Sequence, residues 1–338
     1  MTDSTRYPAG LWFAVFGIAL IVAVLVGLSV GEVAISPTEE WRAFIGRLGF
    51  GEGSPSEAVF WSIRMPRVVA GVLVGATLGV AGAALQGVYR NHMADPFLLG
   101  ILSAAGLGVV IGIALTPAGG TPLLIMAVAA AAGAAFALFT RRVSRATVDP
   151  ARFILVGVAL GFALLAWTVM FVFILDSPRL PTFAYFVFGS LAATTWEAVW
   201  SAFLFFIGGL ALVAVFTREL DLLSIGDREA GSLGVSVRRV VGAVLAGTGI
   251  AVGASVGLAG VIGFVGLLAP FIARPLVGPS HRKLLPASAL VGATFVVAAD
   301  VLARLAAGPV EVPIGIVTAA LGGPILVWML VRKKGSTV

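Results

Sequence analysis

The sequence predicts an all-α polytopic membrane protein: a single transmembrane domain over residues 1–338 with about ten transmembrane helices and an inverted internal repeat. Three observations carry this. Hydrophobic residues fill 59% of the 338 positions and charged residues only 11%, less than half of the roughly 25% with which a soluble chain covers its surface. The apolar residues come in blocks of about 18–24, the length that crosses a hydrocarbon layer of about 30 Å. A glycine-rich stretch also recurs in the second half of the chain at a fixed offset. The core of a large soluble protein would instead be cut into shorter amphipathic pieces with a polar face.

Ten blocks stand at about 11–30, 66–88, 97–115, 122–140, 153–175, 197–217, 240–260, 262–277, 286–305 and 313–331. The first follows Arg6 with no small-residue cleavage site close behind it, so it reads as a retained span and not a signal peptide. Only a Leu-Ala-Gly turn separates the seventh from the eighth, which makes that boundary the softest. With the N-terminus in the cytoplasm, the inner connections and both ends hold 16 of the 22 basic residues. The outer set is Arg42, Arg47, Arg64, Arg67, Arg179 and Arg304, accompanied by Glu32, Glu39, Glu40, Glu52, Glu57, Asp176, Glu197 and Glu311. Such asymmetry places both termini of a multi-pass membrane protein in the cytoplasm. It also accounts for the net charge of +6 without a nucleic-acid partner. There is no cysteine, hence no disulfide and no thiolate metal site.

Val74 to Gly82 reads VGATLGVAG and Val252 to Gly260 reads VGASVGLAG, six identities in nine at an offset of 178. The same offset carries Gly71, Gly75 and Gly79 onto Gly249, Gly253 and Gly257. Both stretches are doubled GxxxG patterns, which let helix backbones approach closely in lipid, so these six glycines are expected at packing faces. The first copy lies on span two and the second on span seven. An odd number of steps separates them, so the copies run in opposite directions across the membrane. Inverted repeats of this kind belong to transporters. The first repeat is expected over about 64–175 and the second over about 240–332.

Groups for chemistry are sparse. His92 and His281 are the two histidines, far apart in sequence, and read as solvated loop side chains with no second metal ligand in view. No G-x-x-x-x-G-K-[ST] occurs, so the chain does not itself cradle ATP. Asp300 is the only acidic residue in the interior of an expected span, Glu197 standing at the outer edge of its block. Arg304 follows it by one helical turn, which reads as a structural ion pair near the outer end of span nine and not as a proton relay.

The inner connection between spans six and seven, about 218–239, differs from the others. Asp221 to Arg239 reads DLLSIGDREAGSLGVSVRR, with Leu222, Leu223, Ile225, Leu233 and Val235 set among charges, and Gly226 and Gly234 as breakers. Two short helices with apolar and charged faces would suit docking onto a soluble partner.

Several longer stretches resemble the FecCD-type permeases, membrane subunits of bacterial ABC importers for iron-siderophores, haem and cobalamin. They are RMPR at Arg64 to Arg67, GAALQGVYRNHMADPFLLG at Gly82 to Gly100, and GSLAATTW at Gly189 to Trp196. EAGSLGVSVRR at Glu229 to Arg239 and LAGVIGFVGLLAP at Leu258 to Pro270 follow. The last are VGPSHRKLLPASAL at Val277 to Leu290, ADVLAR at Ala299 to Arg304, and VPIGIVTAALGGP at Val312 to Pro324. His92 stands where the family usually has Pro, and Phe271 where it often has His.

The resemblance implies a type II ABC importer permease: a second copy of the chain, a central path, a pair of ATP-binding subunits below and a periplasmic or lipid-anchored solute-binding protein above. It implies no cofactor on this chain, with ATP and Mg on the partner subunit, and no catalysis by the chain itself. It assigns coupling to the ATPase to Asp227, Glu229, Ala230, Leu233, Gly234, Val235 and Arg238, and binding-protein docking to Arg64, Arg67 and Arg304. The competing expectation is a secondary transporter driven by an ion gradient without an ATPase. The scarcity of acidic groups within the spans and the long inner connection disfavour it.

Overall fold

The computed structural model describes residues 8–31, 55–116, 121–146, 150–174, 187–306 and 312–332. Every regular element within them is helical. The outer acidic and basic residues between Glu32 and Glu52, with Asp176, Arg179 and Glu311, lie outside the described residues, as do Arg6, Lys333 and Lys334.

Helix α1 is Ala9–Ser29. A helical turn Pro55–Val59 and a π-helical turn Phe60–Arg64 lead into α2, Met65–Tyr89. Then come α3, Ile101–Leu115, α4, Pro122–Ala146, α5, Pro150–Ile174, and α6, Trp196–Val215. Two short helices follow, α7, Thr217–Leu223, and α8, Asp227–Ser232. The chain closes with α9, Val237–Ala259, α10, Val265–Val277, α11, His281–Ala306, and α12, Ile314–Arg332. The long helices answer the ten apolar blocks one for one. Seven of them (α1, α2, α4, α5, α6, α9 and α11) are long and apolar enough to cross a membrane, while α3, α10 and the apolar part of α12 are shorter.

The short helices have local causes. Asp95-Pro96 and a left-handed Gly100 (φ 77°) hold the chain in turns, so α3 starts at Ile101 and not near 97. The soft boundary between spans seven and eight is an extended break. Gly260 (φ 69°) ends α9, and Phe264, left-handed at φ 68° despite its side chain, precedes α10. Two helices overrun their blocks at the basic end: α4 continues to Ala146 and α11 starts at His281.

Helices α2 and α9 are the most deeply buried spans, whereas α1, α5 and α6 are largely exposed. The pairing is reciprocal. Helix α2 packs mainly on α11 and α9 mainly on α4, while α10 lies on α2 as α3 lies on α9. Exchanging α2 with α9, α3 with α10 and α4 with α11 therefore regenerates the same contacts.

The glycines set the register. A Cβ at Gly75 would fall on the backbone of Gly292 and Ala293, and one at Gly253 on that of Ala129 and Ala130. Gly71 faces Val297 as Gly249 faces Ala134, and Gly79 faces Ser288 as Gly257 faces Met126. Ala130 and Ala293 stand 163 positions apart, as do Ala134 and Val297. The repeat thus has one offset on its glycine helices, 178, and another on their partners. The doubled GxxxG faces meet the other half's alanine-rich helix at both sites.

The ends of the helices gather as alternate crossing requires. At one end Tyr89 Oη meets Thr140 Oγ1 at 2.5 Å, Arg141 donates to the Arg238 carbonyl at 2.9 Å, and Arg274 donates to Gln86 Oε1 at 2.8 Å. That end carries the basic clusters assigned above to the cytoplasm. At the other, the end of α1 meets the start of α2 and the end of α11 through Arg64, Arg67, Asp300 and Arg304. The GSLAATTW segment joins this second end, since Ser190 donates its N–H to Ala259 and Gly189 accepts from Ile314.

Candidate functional site

The three arginines expected at a binding-protein rim are turned inward. Arg67 is 7% exposed, and its Nε and Nη2 bond the Asp300 carboxylate at 3.1 and 2.9 Å. Arg304 takes the other oxygen at 3.0 Å and also donates to the carbonyls of Gly27 and Val30. Arg64, 4% exposed, donates to Leu28 and Ser29 at 2.6 and 3.2 Å. A helix leaves its last carbonyls without intrahelical partners, and α1, with no basic residue in its last turn, has those carbonyls bonded by guanidinium groups from the π-helical turn before α2 and from α11. All three arginines expected at a binding-protein rim are thus at the same end of the fold, buried, with partners inside it. The Asp300–Arg304 pair expected from the i,i+4 spacing is present. Arg67, a partner from 233 positions away, had no local signal.

At the basic end, the segment expected to couple to an ATPase is a rigid double turn. Asp221 fixes it to α11: its carboxylate accepts from Ser280 Oγ at 2.7 Å and the His281 N–H at 2.7 Å, and lies 2.6 Å from His281 Nδ1. The expectation of a solvated His281 is thereby corrected, since the side chain is buried at 2% exposure. Arg90, left-handed at φ 49° where α2 ends, reaches Asp227 at 3.2 Å. Gly226, at φ 149°, makes the break between α7 and α8, and a Cβ there would collide with the Glu229 carboxylate.

On this anchored frame Leu220, Leu223 and Ala230 point into the fold, where they hold the segment down. Ile225 and Leu233 do the opposite, 64% and 62% exposed at a polar helix end. Glu229, Gly234 and Arg238 are exposed beside them, and Val235 is half-buried. Two apolar side chains held in water by a stiff scaffold suit a partner surface.

A third feature was not foreseen. Asp95, 2% exposed in the connection between α2 and α3, accepts the N–H groups of Phe97 at 2.8 Å and Leu98 at 3.3 Å. The N–H of Leu267 on α10 adds to them. Burial pushes its carboxyl up to about 6, against the lowering pull of these N–H groups. It therefore ties the two short helices together, with Phe97 and Phe264 ring to ring at 5.5 Å beside it. Among the described residues no group of three or more His, Asp or Glu is placed to hold a metal.

Known proteins share this arrangement. The FecCD transport family matches residues 19–332. The uncharacterized ABC transporter permease protein YvrB of Bacillus subtilis is 38% identical over 324 residues, 93% of this chain and 91% of that protein. The vitamin B12 import system permease protein BtuC of Escherichia coli is 36% identical over 327 residues, 96% of this chain and 95% of its own. A solved structure described as an inward-facing conformation of a metal-chelate type ABC transporter superposes with a TM-score of 0.78 at 27% identity, covering 96% of this chain and 99% of its own. A ten-helix inverted repeat and a match from the first helix to the last agree, and the chain belongs to the FecCD transport family.

Proposed function

We propose that this chain is the membrane permease of an ATP-driven importer, moving a metal chelate such as an iron-siderophore, haem or cobalamin from a solute-binding protein into the cytoplasm. The observation that carries the reading is the anchored α7–α8 segment, with Ile225 and Leu233 exposed at the basic end. A pair of ATP-binding subunits would seat there, bringing the ATP and Mg that the chain has no motif to hold. The central path would form with a second copy. The repeats, about 64–175 and 240–332, supply the two halves that rock against each other. The relatives' names support the substrate class. The reading driven by an ion gradient loses its main candidate, because the Asp300 carboxylate is shared by two arginines.

The test is reconstitution of the chain with its ATP-binding subunits and solute-binding protein in proteoliposomes, with cobalamin, haem and a ferric siderophore offered separately. Uptake of one of them that requires ATP is the expected result. Uptake without the ATPase, driven by a proton or sodium gradient, would overturn the proposal.

A further inference from the structure

A groove of about 680 Å³ opens at the basic end between the last turns of α6 and the start of α11. Its polarity is graded along the helix axes. The inner part is apolar, lined by Leu210 and Ala214 of α6, Leu285 of α11 and Val80 of α2. The mouth holds Arg218 and Arg282, both exposed. From Leu210 to Val215 at the end of α6 is five residues, about 7.5 Å of helix axis, and Arg218 follows in the first turn of α7. The one carboxylate at the mouth, Asp221, already serves Ser280 and His281. Val215, 70% exposed, lies on the same wall, so the apolar part is open to whatever surrounds the helices.

We infer that this groove binds an anionic phospholipid of the inner leaflet, its phosphate between Arg218 and Arg282 and an acyl chain along Leu210, Ala214 and Leu285. A soluble anion would have no use for the apolar wall, and an acyl chain alone none for the two guanidiniums. Only an amphiphile with its charge at the membrane surface matches both in the order found. Basic pockets between transmembrane helices on the cytoplasmic side hold lipid headgroups on the same grounds. The site concerns the lipid around the permease and is independent of its cargo.

Native mass spectrometry of the purified full chain, titrated in parallel with palmitoyl-oleoyl phosphatidylglycerol and phosphatidylcholine, tests this. At about 1 kcal/mol for each basic residue near the surface, two arginines give phosphatidylglycerol an advantage of about thirtyfold. Arg218→Gln or Arg282→Gln should each remove about fivefold of it, and the double variant should bind the two lipids alike. Ala214→Trp fills the apolar wall from the lipid side without touching charge, and should lower retention of both lipids while the chain stays monodisperse. Ten millimolar inorganic phosphate should not displace the bound lipid. Equal retention of the two lipids by the unaltered chain, indifference to Ala214→Trp, or displacement by phosphate would each overturn the assignment. So would efficient disulfide cross-linking of two copies through Val215→Cys, a unique thiol in a cysteine-free chain, since the groove would then face a second copy.

Discussion

Asp300 carries the most concentrated stake of any single side chain, because two buried guanidiniums close on it. Asp300→Ala would strand both, at a cost of roughly 3–5 kcal/mol, and should lower the melting temperature in detergent and free the end of α1 to amide exchange. Arg67→Glu should do the same, whereas a residue that served docking alone would leave stability untouched; normal stability with weakened docking would favour the docking role. Asp95 gives a pH signature instead. Its carboxyl titrates at about 6 in the fold, above an unfolded value near 3.9. Its stabilising share is therefore complete below the unfolded value and fades as pH rises through about 6. Relative to Asp95→Asn, the unaltered chain should gain stability on acidification from pH 7 to 4, by roughly 3 kcal/mol at most. A flat difference across that range would mean that the carboxyl titrates normally. These clusters differ in how far the sequence reveals them. Asp300 and Arg304 lie one helical turn apart, so local spacing announces them. Arg67, and His281 with Asp221, are joined only by the way distant helices pack, and no spacing rule reaches across 233 or 60 positions.

The helices themselves were legible because lipid leaves so little choice: each backbone group must be satisfied within its own helix, and a span must be about 20 residues long and apolar. Which helix packs on which was not legible, since in lipid small residues and not hydrophobic faces decide it. Geometry grades the glycines. Gly75 and Gly253 meet backbone, Gly257 meets the flexible Met126 side chain, and a Cβ at Gly208 would meet nothing within 4 Å. Gly75→Ala and Gly253→Ala should each destabilise the chain by about 1–3 kcal/mol and by similar amounts, as reciprocal contacts demand. Gly257→Ala should cost less, and Gly208→Ala should be neutral or mildly stabilising. Thermal unfolding in one detergent ranks the four, and equal values would mean that these contacts do not set the helix spacing. The α7–α8 segment separates folding from association. Leu233→Asp adds a charge to a side chain already mostly in water, so assembly of the chain should be intact. Affinity for the ATP-binding subunits should fall at least about tenfold, as read by co-purification at graded concentrations, and unchanged affinity would return Leu233 to solvent.

At the scale of the whole molecule, sidedness joins the charge count to the mechanism. Helix contacts place the basic clusters at one end and the Asp300 cluster at the other, and from the distribution of 16 against 6 basic residues we propose that the first end faces the cytoplasm. On the proposed function the energy source then acts from that side. The absence of cysteine makes the assignment testable with single thiols. Leu233→Cys lies exposed just after α8 and Ala193→Cys, also exposed, beside the opposite ends of α9 and α12. In intact spheroplasts a membrane-impermeant maleimide should label Ala193→Cys and spare Leu233→Cys. In inside-out vesicles the pattern should reverse. Vesicles of that second kind also admit ATP to the basic face. With the ATP-binding subunits present they should hydrolyse it, and the chain purified alone should show no turnover, having no phosphate-binding loop. Labelling of Leu233→Cys from outside would invert the whole arrangement and leave α7–α8 on the wrong side for an ATPase. ATP hydrolysis by the isolated chain, free of contaminating enzyme, would remove the need for one.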